Sequence, residues 1–339
     1  MKSILVTGGL GFIGSHTVVT LIENGFKVVV IDDLSNSSTK VLQRLKKICG
    51  TKPEFLEGSI NDANFLRRVF SNYDFYAVIH FAALKSPLES FKKPSSYYYT
   101  NIGGTLNLLN SMEKSNVSRL VFSSSAAVYG KLEKLPLSEE AVLGEPKSIY
   151  AKSKLVIENS LKDICVVEEK WKVAILRYFN PIGAHPSGLI GEDPKNEPTN
   201  LIPIINKVAL GIYDRLTVFG NDYLTVDGTG VRDFIHVVDL AEGHLSALNA
   251  LSALNGCETW NLGTGQGYSV LQVLDVFEKV VGKKIPFEIR DRRHGDPAQS
   301  WANIDKAKND LNWRPVHSLE NMIFDSWNWQ KNNPYGYEK

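Results

Sequence analysis

One turn constrains this chain more than any other feature. Residues 4–7, apolar and β-branched, run straight into Gly8-Gly9-Leu10-Gly11-Phe12-Ile13-Gly14, and a helix-length stretch follows over 15–24. Glycines at 8, 11 and 14 permit a tight strand-to-helix turn and let backbone N–H groups approach a bound group closely. The helix N-terminus behind them adds positive dipole, so a phosphate is the ligand that suits such a turn. A bare glycine run also fits an ordinary turn; its place at the first strand–helix junction favours the phosphate reading.

The first half repeats this alternation. Residues 27–32, 77–82, 119–124 and 173–178 read as buried strands, each short, nearly continuous in apolarity and rich in β-branched or aromatic side chains. Helix-length segments, such as 150–163, lie between them. The pattern predicts an α/β fold with a Rossmann-type, doubly wound parallel sheet. Beyond residue 180 the texture changes. The stretch 180–200 is rich in Pro, Gly and Asp without a period, and reads as a long functional loop. Short elements then alternate with loops, which we read as a smaller α/β substrate-binding domain, with 233–261 returning to the sheet. The expected division is 1–179 plus about 233–262 on the nucleotide side, and 180–232 plus 263–339 on the substrate side.

The second strand ends in Asp32-Asp33. An acid there accepts hydrogen bonds from the adenosine ribose of a dinucleotide and repels a 2′-phosphate. No arginine follows directly, so NAD is expected rather than NADP. The simpler alternative is a carboxylate that caps a helix or closes a turn.

Charge and cysteine usage narrow the class further. Lys plus Arg (38) and Asp plus Glu (37) nearly cancel, leaving no field to draw in nucleic acid or a membrane surface. The first apolar run is too short for a signal segment or a membrane span. Cys49, Cys165 and Cys257 are far apart in sequence and odd in number. Neither a disulfide framework nor a zinc site follows, and a reducing compartment, the cytoplasm, is expected.

Tyr150 and Lys154 stand four residues apart, on one face of a helix. A free tyrosine has a pKa of about 10. A neighbouring ammonium and a cationic nicotinamide ring favour its phenolate, giving a base that takes a hydroxyl proton near neutral pH. This spacing also arises by chance on surface helices. What lifts it is Phe122-Ser123-Ser124-Ser125-Ala126-Ala127, where a strand ends in serines at the carboxyl edge that binds ligands in open α/β sheets. Ser125 is placed to relay a proton from a reacting hydroxyl; the alternative is a turn with local backbone bonding.

Together the glycine turn, Ser125 and the Tyr150/Lys154 pair resemble the extended short-chain dehydrogenase/reductase superfamily. Within it the chain resembles the UDP-galactose 4-epimerase family almost end to end, through Phe81-Ala82-Ala83-Leu84-Lys85, through the run from Leu176 to Gly188, through Phe219-Gly220-Asn221-Asp222-Tyr223 and through the run from Asp227 to His236. The resemblance implies an NAD-dependent isomerase that inverts C4 of a UDP-hexose through a 4-keto sugar. It implies Tyr150 as base, Lys154 as its partner and ribose anchor, and Ser125 as relay. Cofactor contacts fall on Gly8, Gly11, Phe12, Ile13 and Gly14, on Asp32, Asp33, Leu34, Ser35, Asn36 and Ser37, on Ser59 and Ile60, on Phe81, Ala82, Ala83, Leu84 and Lys85, and on Thr100 and Phe179. UDP-sugar contacts fall on Lys85, Ser125, Tyr150, Asn180, Asn200, Leu201, Thr217, Val218, Phe219, Arg232, Arg293, Asp296 and Ser300. The two arginines suit a diphosphate clamp. No metal is implied; a homodimer packed through helices of the cofactor domain is.

Two positions depart from the family pattern. Ser59 stands where an aspartate usually meets the adenine amine, and Thr100 where an asparagine is usual near the cofactor. Ser300, small where a bulky aromatic would exclude an N-acetyl group, implies activity on UDP-GlcNAc and UDP-GalNAc as well. Related 4,6-dehydratases carry an Asp-Glu pair after the serine; here Ala126 and Ala127 cannot move protons. A net reductase keeps the same catalytic groups, and a non-catalytic NAD-binding protein would be expected to lose Tyr150 or Lys154.

Overall fold

Runs that are apolar on both sides must be covered on both sides, and that requirement organises the first half of the chain. The computed structural model describes residues 2–130, 134–293 and 295–338. Its strands β1 (Ser3–Thr7), β2 (Lys27–Asp32), β3 (Glu54–Glu57), β4 (Ala77–His80), β5 (Arg119–Ser125) and β6 (Lys172–Tyr178) join one sheet with a seventh strand, Gly256–Leu262. From one edge the order is Gly256–Leu262, β6, β5, β4, β1, β2, β3. Every pairing is parallel. The order reverses between β1 and β4, and the crevice at their carboxyl ends is where such sheets bind ligands.

Side chains alternate across the sheet as a period of two requires. Ile4, Val6, Val28 and Val30 meet Val18 and Leu21 of the Phe12–Glu23 helix and Leu240 and Leu248 of the Val237–Ala250 helix. On the other face Leu5, Val29, Val78 and Phe122 meet Leu66, Leu108, Met112, Ile157 and Leu161. The Val237–Ala250 helix and the sheet's last strand arrive from 233–262, after the chain has passed through the first part of its other half.

That other half has its own core. Ile205, Phe277 and Ile323, from helices Leu201–Ala209, Val270–Val281 and Leu319–Asn332, pack on Leu216 and Val218 of a strand that pairs with Phe287–Arg290. Three two-residue strands, Tyr268–Ser269, Val231–Arg232 and Gln299–Ser300, form a small sheet beside it. The stretch 180–200 holds one short strand, Asn180–Ile182, and no further helix or strand before Leu201.

Several boundaries differ from the sequence reading, for physical reasons. The strand expected over 77–82 ends at His80, because Phe81 and Ala82 leave the ladder to wall the crevice. The first helix starts at Phe12, inside the glycine run. The helix containing Tyr150 spans Ile149–Val167, its N-cap Ser148 accepting from the Ala151 N–H at 3.1 Å. Cys165 and Cys257, remote in sequence, hydrogen-bond to each other side by side as free thiols. Among the described residues no helix is long and apolar enough to cross a membrane.

Candidate active site

The glycine turn is closed on itself so tightly that side chains do not fit. A Cβ on Gly14 would lie 2.3 Å from the Gly8 carbonyl oxygen, and one on Gly8, at φ +67°, would lie 2.8 Å from the Ala82 nitrogen. The Gly11 N–H donates to the Gly8 carbonyl at 3.1 Å, and the Ser15 N–H to that of Gly11 at 2.9 Å. Gly11 caps the Phe12–Glu23 helix without a side-chain bond. The first N–H groups of that helix therefore stay available to an anion, which is what a pyrophosphate needs.

At the end of β2 the Asp32 carboxylate braces this turn. Its Oδ2 accepts from the Leu10 N–H at 3.1 Å; its Oδ1 accepts from the Leu34 N–H at 3.0 Å and the Ser37 hydroxyl at 2.7 Å. Burial raises its pKa, and those three bonds offset part of the rise. Its neighbour Asp33 accepts from the Ser35 N–H at 3.0 Å and the Ser59 hydroxyl at 3.4 Å. Asn36 is engaged from the other side of the crevice: its Oδ1 accepts the Lys195 N–H at 3.1 Å, and the Lys195 ammonium donates to the Leu34 carbonyl. Lys85 pairs with Glu192 at 3.5 Å. Two links thus tie the 183–200 segment to the cofactor half.

Asn101, absent from the sequence reading as a site residue, holds the 81–85 turn. Its amide accepts from the Leu84 N–H at 2.8 Å and donates to the Leu84 carbonyl at 3.0 Å and to Ser153 at 2.9 Å. Only its neighbour Thr100 drew notice in the sequence, since a buried amide bonded to backbone leaves no local pattern.

The candidate catalytic residues converge where β5 ends. Ser125 Oγ accepts from the Ala127 N–H at 3.2 Å and hydrogen-bonds the Tyr150 phenol. Its two companions are structural: Ser123 bonds the Tyr178 hydroxyl, and Ser124 donates to Glu158, which forms a buried ion pair with Arg177 at 2.6 Å. The Lys154 ammonium donates to the Ser123 carbonyl at 2.7 Å and lies 4.8 Å over the Phe122 ring. Without a cofactor's charge, burial sets the electrostatics of this pair. Burial, partly offset by the Ser125 bond, raises the Tyr150 pKa; burial, against the pull of Glu158, lowers that of Lys154 to about 7. Among the polypeptide's own groups desolvation dominates both shifts, because a buried charge is disfavoured unless a second charge faces it.

With the single exception of Leu34, every candidate cofactor, substrate or catalytic residue named from the sequence lines one cavity of about 870 Å³. Leu34 instead turns at φ +58° and packs on the core. On the far wall the Arg293 guanidinium stacks 4.0 Å from the Phe219 ring centroid. The adjacent Arg292 points away, paired with Asp222 at 2.7 Å and stacked on Tyr223. Arg232 donates to the Val231 carbonyl at 2.8 Å and faces Asp296 at 3.9 Å; burial lowers its pKa. Ser300 is the register partner of Arg232 in the small sheet. Asn200 donates to Glu192 at 3.1 Å, and Thr217 to Glu288 at 3.4 Å. Tyr223 also lines this wall; it lies inside a quoted family run, yet nothing in its own pattern marked it.

Comparison with known proteins now decides the matter. Residues 4–263 match the NAD dependent epimerase/dehydratase family. The chain belongs to that family. It is 52% identical over 335 residues to a UDP-glucose 4-epimerase of Yersinia enterocolitica, covering 99% of both chains. It is 49% identical over 342 residues to the UDP-glucose 4-epimerase of Homo sapiens, covering 99% of this chain and 98% of that one. The crystal structure of UDP-glucose 4-epimerase from Bifidobacterium longum in complex with NAD+ and UDP superimposes with a TM-score of 0.96 at 45% identity, over 99% of this chain and 100% of that one.

For a member of the epimerase/dehydratase family the cavity divides by chemistry. The uncapped helix start and the Asp32/Asp33 pair fit a dinucleotide, Lys154 and Tyr150 sit between the two ends, and the arginines fit a second diphosphate. Ala126 and Ala127 line the wall beside Ser125, so no second acid–base pair stands there for eliminating water.

Proposed function

We infer that this chain is an NAD-dependent UDP-glucose 4-epimerase, interconverting UDP-glucose and UDP-galactose through a 4-keto sugar. The observation that carries the reading is the single cavity in which the hydrogen-bonded Ser125 and Tyr150 face a wall bearing Arg232 and Arg293. NAD, when bound, supplies the hydride acceptor and donor at C4. Tyr150 takes the O4 proton through Ser125 while C4 is oxidised, and returns it when C4 is reduced on the other face. Lys154 holds positive charge beside the reacting oxygen. Arg232 and Arg293 keep the diphosphate fixed while the hexose turns about its phosphate linkage, so the return step stays effectively unimolecular. Ser300 leaves room beside the C2 substituent, which supports turnover of UDP-GlcNAc and UDP-GalNAc too.

The two halves are read as an NAD-binding domain, 1–179 plus about 233–262, and a UDP-sugar-binding domain, 180–232 plus 263–339. Exposed Tyr99, Leu106 and Val156, on helices of the cofactor half and outside the cavity, support a homodimer. Three free cysteines support a reducing compartment, the cytoplasm. The deciding experiment incubates the purified protein with UDP-galactose, and separately with UDP-GalNAc, without added cofactor, and separates the products. Formation of the C4 epimer in each is expected; a 4-keto-6-deoxy product or no conversion of UDP-galactose would overturn the reading.

A further inference from the structure

Two hydroxyls reach the cavity at positions where the family usually carries an aspartate and an asparagine: Ser59, after β3, and Thr100, within the Tyr98–Gly103 π-helix. Behind them lies Asn61, which does not line the cavity. Its backbone N–H donates to Ser59 Oγ at 3.3 Å, and its side-chain amide donates to Thr100 Oγ1 at 3.2 Å. The backbone of this turn is itself pinned, because Asn107 donates to the carbonyls of Ile60 and Asn61 at 3.3 Å each. Gly104 makes room for it; a Cβ there would lie 3.0 Å from Asn61 Oδ1 and 2.6 Å from Ile60 Cδ1.

We propose that Asn61 is a positioning residue for the dinucleotide, its side-chain amide setting the hydrogen-bonding sense of Thr100. A hydroxyl has one proton to give and two lone pairs to receive. Asn61 fills one lone pair of Thr100. A helical threonine often turns its proton back to a carbonyl one turn earlier; among the described residues Thr100 makes no such bond, so its proton is left for an acceptor in the cavity. At Ser59 the Asn61 N–H fills one lone pair and the proton goes to Asp33 at 3.4 Å. The remaining lone pair suits a donor such as the amine of an adenine. The Asn61 side chain, outside the cavity, thereby makes Thr100 a donor, while the turn's backbone and Asp33 leave Ser59 an acceptor independently of that side chain.

This rests on the reading that NAD occupies the cavity, and its test reads cofactor binding rather than turnover. Purified protein is stripped of cofactor and titrated with NAD, following its tryptophan fluorescence; the thermal midpoint of the stripped protein is recorded alongside. Asn61→Ala is expected to weaken NAD binding roughly three- to tenfold, the scale of one well-placed hydrogen bond, with the stripped midpoint unchanged. Adding Thr100→Asn to Asn61→Ala is expected to restore most of the affinity, since an amide at position 100 carries its own fixed donor. Unchanged affinity in Asn61→Ala overturns the proposal, and so does a loss that Thr100→Asn fails to restore or that follows a drop in the stripped midpoint. Should the unaltered protein take up no NAD at all, the reading of the cavity fails first, and this inference with it.

Discussion

At Tyr150 and Lys154, burial pushes the phenol up and the ammonium down to about 7, so each awaits a charge or dipole from what binds between them. Tyr150→Phe removes the proton acceptor while leaving the diphosphate wall intact. We expect turnover to fall by about 10²–10⁴, the usual worth of a positioned acid–base group, with UDP affinity by calorimetry retained; normal turnover would move the base elsewhere. Ser300→Tyr places a ring beside Arg232, its register partner. Conversion of UDP-GalNAc should then disappear while UDP-galactose is still turned over, and equal loss of both would show that the position does not select at C2. The helical spacing of Tyr150 and Lys154 was legible in the sequence. The claim of the Ser123 carbonyl on the Lys154 ammonium was not, because it joins a helix to the end of β5 across thirty-one positions.

Among elements, the glycine turn has little tolerance. Gly14→Ala sets a methyl against the Gly8 carbonyl, and the backbone has to move to admit it. Overpacking of this kind costs about 1–3 kcal/mol, and it opens the helix start where the pyrophosphate is expected. Protein carrying the change should unfold at a lower temperature and emerge from gel filtration with little NAD; full retention of cofactor would mean the turn is not its seat. The central strands were readable because burial on both faces leaves an unbroken apolar run. β3 escaped notice because it lies at the sheet edge, half exposed, as Glu54-Phe55-Leu56-Glu57. The two-residue strands at Val231–Arg232 and Gln299–Ser300 are too short for any period; their partners, not their sequence, define them.

At the scale of the whole molecule, three of the buried histidines among the described residues set a floor to acid tolerance. Burial lowers His16 and His80 to about 3 and His244 to about 4, from an ordinary value near 6.5. Their folded pKa lies below the unfolded one, so the unfolded chain binds more protons between these values, and stability falls as pH drops below about 6.5. His80 sits between Thr7 and Thr105 at 2.6 and 2.9 Å, under the crevice. Thermal midpoints measured from pH 7 down to 5 should decline, and His80→Asn should decline less steeply from a lower start; parallel slopes would remove His80 from the account. None of these roles was visible in the sequence, where a histidine on a strand or helix says nothing of its depth.

The sheet's last strand comes from far along the chain: Gly256–Leu262 completes it alongside β6 only after residues 180–232 have been threaded elsewhere. No single cut therefore yields two self-sufficient pieces. A chimera that keeps the seven-stranded sheet with its helices and borrows the rest from another enzyme needs three crossover points, one just after β6 and one on either side of the 233–262 return, and a ribosome must deliver residue 262 before that sheet can be completed.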